Sequence, residues 1–261
     1  MMKLPNLKSK VPEFYVVIPA RYASTRLPGK PLLDIAGKPM VVWVADRAKQ
    51  SGAKQIIVAT DDLRILEAVQ LHGCQAIMTN EYHVSGTDRI AEVALMQRWP
   101  DDAIVVNVQG DEPLIEASLI LEVAAALSSS HNAVMATACH AINSKADFVN
   151  PNIVKVVLDA QSNALYFSRA PIPYPRDAFS LNADMPANMP AYRHIGIYAY
   201  RAKFLKQYAN IQPSAIEQIE CLEQLRVLHQ GYKIAVSISK NAPAVGVDTQ
   251  DDLDYVRSVL R

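Results

Sequence analysis

Three cationic side chains, Arg21, Arg26 and Lys30, lie within ten residues of one another, directly after an apolar segment at residues 14–18. A turn-forming Pro28-Gly29 lies among them. The chain has 26 basic and 26 acidic side chains, so this concentration of positive charge is local. Arg can bind a phosphate through two parallel hydrogen bonds, and Lys adds a mobile point charge. We therefore interpret this segment as a nucleoside-triphosphate loop, with a solvated basic turn as the alternative.

Two aspartates are candidates for a metal site. Asp111 follows the most apolar segment of the chain, residues 103–108, and Asp248 follows Gly246-Val247 near the C-terminus. Mg²⁺ prefers one or two carboxylates together with phosphate oxygens, so we predict that both residues bind it. The alternatives are a turn aspartate at Asp111 and a helix N-cap at Asp248. Asp61 and Asp62 are interpreted differently, as residues that start a helix.

Ser85 precedes a predicted helix and has two interpretations. With Asp88 three residues later it forms a capping-box pattern, which is purely structural. Hydroxyl and backbone groups at a positive helix end could equally read the edge of a base. The sequence leaves both interpretations open.

Charged and polar residues in the second half of the chain offer further candidates. On a helix predicted over 215–229, Glu223 projects between Ile216 and Ile219, with Arg226 nearby. A charge within an apolar face needs a partner, so we expect either a Glu223–Arg226 ion pair or contact with a polyhydroxylated ligand. Arg169 and His194 lie at predicted strand ends. They could likewise contact the ligand, or they could make hydrogen bonds within the core.

The predicted elements alternate through the first half of the chain. The strands are expected at 14–19, 55–60, 76–78, 103–108 and 133–139, and the helices at 39–51, 62–72, 86–98 and 116–128. Later segments predict a hairpin at 153–158 and 164–168, strands at 194–200 and 233–239, and helices at 215–229 and 249–260. Continuous apolar strands are typical of a parallel sheet covered by helices on both faces. We predict a single α/β domain over 1–261 with an inserted proline-rich arm at about 169–193, which either contacts a partner or acts as a mobile lid.

Composition excludes several functional classes. A formal net charge of zero argues against a nucleic-acid partner. The first apolar run, 14–18, is too short for a signal peptide or a membrane span. Cys74, Cys139 and Cys221 are scattered and odd in number, which predicts reduced thiols and a cytoplasmic protein.

Seven motifs, in order along the chain, resemble those of the sugar-acid cytidylyltransferases, and in particular the group that activates 3-deoxy-manno-octulosonate (Kdo). They are Pro19-Ala20-Arg21 with Ser24 and Arg26-Leu27-Pro28-Gly29-Lys30-Pro31-Leu32, Ser85-Gly86-Thr87-Asp88-Arg89, Val108-Gln109-Gly110-Asp111-Glu112-Pro113 and Tyr166-Phe167-Ser168-Arg169, followed by Arg193-His194-Ile195-Gly196-Ile197-Tyr198 and Leu222-Glu223-Gln224-Leu225-Arg226. Gly246-Val247-Asp248-Thr249 completes the series near the C-terminus. Asp88 departs from the glutamate expected in many relatives but keeps the charge.

The resemblance implies a Rossmann-like nucleotidyltransferase fold and a Mg²⁺-dependent reaction. CTP and Kdo would give CMP-Kdo and pyrophosphate for lipopolysaccharide synthesis, and the enzyme would be a homodimer. By position in the motifs, Arg21, Ser24, Arg26 and Lys30 would hold the triphosphate, Ser85 and Arg89 the cytidine, and Asp111 and Asp248 the metal ion. Gln109 would lie between nucleotide and sugar, and Arg169, His194, Tyr198, Glu223 and Gln224 would surround the sugar acid.

Two other functions stay open from the sequence. One is a cytidylyltransferase for another sugar acid, such as sialic acid or an amino-substituted Kdo, or a related enzyme that uses UTP. The other is a nucleotide-binding regulatory module without activity. Retention of both Asp111 and Asp248 argues against the regulatory module, because a sensor does not need a catalytic metal site.

Overall fold

A mixed sheet forms the centre of the molecule. The structure is a computed structural model that describes residues 12–23, 27–83, 85–180, 184–186 and 188–260. The strands of the main path are β1 (Phe14–Ala20), β4 (Gln55–Thr60), β5 (Gln75–Met78), β6 (Ile104–Asn107), β7 (Ala133–Ala141), β10 (Tyr192–Arg201) and β11 (Lys233–Ile238). Their order is β11-β7-β10-β6-β1-β4-β5. Two shorter pairs are β2 (Asp34–Ile35) with β3 (Lys38–Pro39), and β8 (Lys155–Leu158) with β9 (Ala164–Ser168).

Along the main path of the sheet, the strands pair in parallel except at β10. β1 pairs in parallel with β4 and β6, β4 with β5, and β7 with β11. β10 is antiparallel to both β6 and β7. The predicted α/β fold with a largely parallel sheet is confirmed, while the reversed direction of β10 was not predicted. Because β6 and β7 point the same way on either side of β10, most strands still end at one edge.

Helices cover both faces of the sheet. They are α1 (Met40–Lys49), α2 (Leu63–Leu71), α3 (Gly86–Met96), α4 (Ala117–Ser129), α5 (Lys145–Val149), α6 (Arg176–Ser180), α7 (Ala202–Tyr208), α8 (Ala215–Glu220), α9 (Gln224–His229) and α10 (Gln250–Val259). Alternate residues of β1 enter opposite cores: Val16 and Ile18 pack in the layer with α1 and α4, and Val17 packs in the layer with α3 and α7. This two-sided burial explains the continuous apolar strands. Within the described ranges, no helix is long and apolar enough to span a membrane.

Side-chain caps fix several helix starts. Asp62 Oδ1 accepts a hydrogen bond from the backbone N–H of Arg64, so its predicted role at the start of α2 is confirmed. Asp61 was grouped with it wrongly, since its carboxylate pairs with Arg89 instead. Thr249 caps α10 in a reciprocal capping box with Asp252. These caps satisfy backbone donors that have no partner within the helix.

The single helix predicted over 215–229 is wrong, because the chain forms α8 and α9 with a break between them. Cys221 adopts a left-handed conformation with φ 51°, and Leu222 N donates to Glu217 O. Arg226 consequently pairs with Glu217 and not with Glu223. Ile219 is 81% exposed, so the apolar face inferred around Glu223 does not exist in that form.

The segment predicted as an arm returns to the body of the protein. Its residues Phe179, Met185 and Met189 pack against a small cluster that includes Phe148 and Ile153. At the base of the arm, the fully buried Lys155 ammonium donates to the carbonyls of Asn150, Ile153 and Arg169 at 2.9, 2.6 and 2.6 Å. Three carbonyl acceptors compensate the burial of that charge. The start of the arm is therefore anchored next to the sheet.

Candidate active site

A charged cleft lies at the carboxyl ends of β1 and β6, with a volume of about 300 Å³. Its lining comprises Pro19, Ala20, Arg21, Ala23, Lys30, Pro31, Gly86, Arg89, Gln109, Gly110, Asp111 and Asp248. Open α/β sheets bind ligands in crevices at this edge. The cleft therefore brings together the described part of the predicted triphosphate loop and the two predicted metal ligands. Ser24 and Arg26, also predicted for this loop, lie outside the described residues.

Lys30 joins the two aspartates at the centre of the charged cleft. Its Nζ donates to Asp111 Oδ2 at 2.6 Å, to Asp248 Oδ1 at 3.1 Å and to Val247 O at 2.7 Å. One ammonium within hydrogen-bonding distance of both carboxylates shows that the aspartates are close enough to share a small cation. The described ranges contain no group of three or more His, Cys, Asp and Glu side chains arranged for a metal. Two carboxylates suit Mg²⁺, which completes its coordination with phosphate oxygens and water.

A glycine lets the Asp111 loop approach β1. A Cβ placed on Gly110 would lie 2.8 Å from the carbonyl oxygen of Pro19, nearer than side chains approach backbone oxygens. The same loop is tied to the C-terminal region, because Val247 N donates to Asp111 O at 2.8 Å. Burial and the nearby Asp111 carboxylate raise the pKa of Glu112 to about 7. The position of Asp111 is thus set by backbone packing on two sides.

The start of the triphosphate loop is also held by packing. Gly29 has φ 65°, its N–H donates to Tyr22 O, and its Cα faces the Tyr22 ring, which a Cβ would approach to 3.1 Å. The Arg64 guanidinium lies 3.4 Å from the centre of the same ring. This turn directs Lys30 toward the aspartates.

Ser85 and Arg89, both predicted for the cytidine pocket, have structural partners. Ser85 Oγ accepts from Asp88 N and donates to Asp88 Oδ2 at 2.9 Å, as the capping alternative requires. Arg89 is 1% exposed and donates to Asp61 Oδ2 at 2.6 Å and to Thr79 Oγ1. Arg89 still contributes to the lining of the charged cleft, so its role with the nucleotide stays a prediction, as does that of Ser85.

A second cavity, the hydroxyl pocket, adjoins the charged cleft. It has a volume of about 100 Å³ and is lined by Gly86, Thr87, Asn107, Gln109, Met135, Tyr198, Tyr200, Tyr208, Glu223, Gln224 and Val227. Gly86 and Gln109 belong to both cavities. Gln109 therefore lies between a charged region and a region rich in hydroxyl and amide groups, and its place between nucleotide and sugar stays a prediction.

Glu223 is oriented inside the hydroxyl pocket by a tyrosine. Tyr208 Oη donates to Glu223 Oε1 at 2.6 Å, and the Arg226 guanidinium lies 5.0 Å from the Tyr208 ring centre. Arg226 is held in turn by Glu217, at 2.6 Å. Burial, followed by the charge of Glu223, raises the pKa of Tyr208 far above its ordinary value, so its hydroxyl remains a donor.

His194 does not line the hydroxyl pocket but packs beside Tyr198, which does. Thr137 Oγ1 donates to Ile197 O at 2.7 Å, so the His194 Nε2–H donates to Thr137 Oγ1 at 3.0 Å. Its ring packs against Phe167 and Tyr198, with ring centres 5.0 and 5.4 Å away. Burial lowers the pKa of His194 to about 3. These contacts match the core hydrogen-bonding alternative, and a sugar-binding role for His194 stays a prediction.

Arg169 is likewise engaged with the backbone. Its Nε donates to Glu220 O at 2.7 Å, and its Nη1 donates to Pro151 O at 3.1 Å. It contributes to the lining of neither cavity. The structure brings Tyr198, Glu223 and Gln224 together in the hydroxyl pocket but leaves Arg169 outside that group.

Sequence reasoning missed several residues of the hydroxyl pocket: Asn107, Met135, Tyr200, Tyr208 and Val227. Asn107 had a signal, since it is a polar residue inside an otherwise apolar strand. Tyr208 had none, because it comes from a helix, α7, that was not predicted.

A cationic loop and paired carboxylates at the carboxyl edge of this sheet define a nucleotidyltransferase. The family model described as cytidylyltransferase matches residues 15–234, and the chain belongs to this family. It is similar to a solved CMP:2-keto-3-deoxy-manno-octonic acid synthetase complexed with CTP. The identity is 44%, the match covers 95% of this chain and 98% of that chain, and the TM-score is 0.85.

Two more distant structures share the fold. A cytidylyltransferase from Leptospira borgpetersenii serovar Hardjo-bovis is 16% identical, with TM-score 0.61 over 94% of this chain and 85% of that chain. A 4-diphosphocytidyl-2C-methyl-D-erythritol synthase from Anaerococcus prevotii is 12% identical, with TM-score 0.59 over 95% of this chain and 98% of that chain. At these identities the likeness concerns the fold and not the substrate.

Proposed function

We propose that this enzyme transfers CMP from CTP to the anomeric hydroxyl of Kdo, giving CMP-Kdo and pyrophosphate. The observation that carries this proposal is the pair of adjoining cavities that share Gln109, one charged and one rich in hydroxyl and amide groups. The 44% identical synthetase, whose name specifies the same sugar acid, supports Kdo over sialic acid, an amino-substituted Kdo or a UTP reaction. Membership of an enzyme family disfavours a regulatory module.

The charged cleft would hold the nucleotide. Arg21, Lys30 and Arg89 line it, and Ser24 and Arg26 belong to the same loop by sequence. Asp111 and Asp248 would hold Mg²⁺, which neutralises charge on the triphosphate when bound. Lys30 pairs with both carboxylates, and we infer that it turns toward a phosphate when the nucleotide binds.

The hydroxyl pocket would hold the sugar acid. Tyr198, Glu223 and Gln224 face it, with Gln109 at the boundary. Neutral tyrosine hydroxyls donate and accept hydrogen bonds, which suits a polyhydroxylated ligand. Arg169 and His194 do not line the hydroxyl pocket. They would act by positioning the ends of the strands that surround this pocket.

The reaction needs positioning more than a covalent intermediate. The anomeric oxygen attacks the α-phosphorus, the bond from phosphorus to the bridging oxygen of pyrophosphate breaks, and the hydroxyl proton is lost to solvent or a nearby base. Transfers of this kind depend on in-line alignment and on stabilisation of charge. Gln109, between the two cavities, is placed to hold the attacking group near the nucleotide.

Pyrophosphate release tests the proposal. The purified protein is incubated with CTP, Mg²⁺ and Kdo, and with mixtures that lack each component in turn. We expect release that requires all three, and lower turnover when UTP replaces CTP or sialic acid replaces Kdo. Release with another sugar acid but not with Kdo would reject the sugar assignment, and CTP binding without release from any acid would favour the regulatory module.

The biological setting follows from the reaction. We propose a cytoplasmic homodimer that supplies CMP-Kdo for lipopolysaccharide synthesis, built as a single domain with the arm at about 169–193. Free thiols at Cys74, Cys139 and Cys221 support a reducing compartment. Light scattering on the purified protein measures the subunit number.

A further inference from the structure

Two buried polar atoms in the hydroxyl pocket are without hydrogen-bond partners. Asn107 is 3% exposed and Gln224 is 4% exposed. Among the described residues, Asn107 Oδ1 and Gln224 Nε2 have no hydrogen-bond partner. Buried side-chain polar atoms are bonded in the large majority of cases, so unpaired ones inside a cavity indicate groups that a ligand satisfies.

The position of Asn107 is rigid. It is the last residue of β6, pairing with Val17 of β1 on one side and with Tyr198 of β10 on the other. Thr87 and Asn107 lie close enough to the Tyr200 hydroxyl to oppose the rise that burial causes in the pKa of Tyr200. Asn107 lines the hydroxyl pocket, and its Oδ1 is the atom of its amide that is buried without a partner among the described residues.

The two atoms are complementary in kind. Asn107 Oδ1 accepts a hydrogen bond, and Gln224 Nε2 donates one. A hydroxyl group can satisfy both, because it donates and accepts. A methylene satisfies neither, and an ammonium can give a proton to Asn107 but cannot accept one from Gln224.

We propose that Asn107 is a specificity-determining residue whose Oδ1 accepts a hydrogen bond from a hydroxyl of the sugar acid, with Gln224 Nε2 donating to that hydroxyl or its neighbour. This proposal rests on the proposed function. It adds a residue that favours a sugar acid with a hydroxyl group at the recognised carbon over one with a hydrogen atom there. Asn107 lies two residues before Gln109 at the same strand end. Asn107 would contact the sugar, and Gln109 would lie where the sugar site meets the nucleotide site.

An isosteric variant tests the assignment. In Asn107→Leu we expect the KM for Kdo to rise about 10-fold or more, because one hydrogen bond to the ligand is lost. The dissociation constant for CTP alone should change less than about 2-fold, since Asn107 does not line the charged cleft. Asn163→Leu is the matched control: Asn163 is 8% exposed, bonds to Asp159 and lines neither cavity, so the KM should be unchanged.

Monodeoxy analogues of Kdo identify the interaction more sharply. The wild type should lose about 10-fold or more in kcat/KM for the analogue that lacks the recognised hydroxyl, and Asn107→Leu should lose less than about 2-fold for the same analogue. Should leucine prevent folding, judged by CTP affinity, Asn107→Ala carries the same comparison.

The results of these experiments distinguish a failure of the Asn107 assignment from a failure of the proposed function. A wild type that is active with Kdo, together with an unchanged KM in Asn107→Leu or equal analogue penalties in both proteins, overturns the assignment of Asn107. A wild type that is inactive with Kdo overturns the proposed function itself.

Discussion

Lys30 Nζ donates to oxygens of Asp111, Val247 and Asp248, which come from two distant loops. These residues lie 81, 217 and 218 positions further along the chain. Its Nζ takes the place of a shared counter-ion for Asp111 and Asp248, whose side chains are 35% and 52% exposed. Exposed ion pairs contribute little to stability, so this arrangement is better explained by what the carboxylates bind than by folding. We therefore predict that the charge balance of the charged cleft serves ligand binding.

Removal of one of these carboxylates tests that explanation. Asp111→Asn keeps the shape of the side chain, and we expect turnover to fall about 100-fold or more at saturating Mg²⁺, the scale seen when one stabilising element is removed. Asp46→Asn is the matched control, since Asp46 also joins two lysines, Lys38 and Lys49, but lies outside both cavities. Turnover is measured by pyrophosphate release. An Asp111→Asn enzyme as fast as the Asp46→Asn enzyme would reject the metal assignment.

Tyr208 should act through Glu223. Tyr208→Phe removes the hydroxyl that donates to Glu223 Oε1, and we expect the KM for the sugar acid to rise about 10-fold while CTP affinity is retained. Tyr232→Phe is the control, because both tyrosines pack edge-on against Phe204, with ring centres 5.8 and 5.2 Å away. Steady-state kinetics with varied sugar acid measure the effect. Equal KM values in the two variants would show that the hydroxyl does not position Glu223.

At the scale of elements, the site depends on how closely β6 and β1 end beside each other. Gly110 lets the loop after β6 pass the Pro19 carbonyl, and the loop then carries Asp111 toward Lys30. The closeness of these two strand ends is a backbone requirement and is independent of the charges that they present.

Gly110→Ala tests this close approach. The added Cβ would lie 2.8 Å from Pro19 O, so we expect a loss of about 1–3 kcal/mol in the free energy of unfolding and a displaced Asp111 loop. Gly196→Ala is the matched control, because nothing lies within 4 Å of its added Cβ. Denaturant unfolding of the two variants compares them directly. A Gly110→Ala protein as stable and as active as Gly196→Ala would contradict the packing argument.

Element prediction succeeded where local signals dominate. The first helices and strands have regular apolar spacing and clear caps, such as Asp62 and Ser85, so they could be predicted. The break between α8 and α9 could not be predicted from the sequence. It places Cys221 in a left-handed conformation, which glycine usually signals, and no glycine lies at this position. The direction of β10 also could not be predicted, since strand direction depends on the path of the arm and not on the residues of β10.

At the scale of the whole molecule, the site is assembled from both ends of the chain. The charged cleft could be predicted because its cations and carboxylates follow strands in recognisable motifs. The hydroxyl pocket could be predicted only in part, since Tyr208 enters from α7 and Tyr200 from the reversed strand β10. These contributions arise from tertiary packing, which no local pattern encodes.

The lowered pKa of His194 should make global stability depend on pH. Its pKa is about 3 in the folded protein because burial disfavours the imidazolium, against about 6.5 in the unfolded chain. Between these values the unfolded state binds the extra proton, so stability falls as pH decreases below about 6.5. From pH 7 to 5 the wild type should lose about 2 kcal/mol more than His194→Gln.

Denaturant unfolding at pH 7, 6 and 5 measures this difference. His131→Gln serves as the control, since His131 is exposed and should leave the pH dependence unchanged. Parallel pH profiles for the wild type and His194→Gln would contradict the lowered pKa of His194.

Attack by the anomeric oxygen of the sugar acid on the α-phosphorus of CTP is tested by an isotope experiment. Kdo carrying ¹⁸O at the anomeric hydroxyl is incubated with CTP, Mg²⁺ and the enzyme, and the product is followed early by ³¹P NMR. We expect a CMP-sugar phosphodiester whose bridging oxygen to the sugar is ¹⁸O, seen as an isotope shift of its phosphorus signal. A phosphodiester without the label, or the absence of any CMP-sugar product, would contradict it.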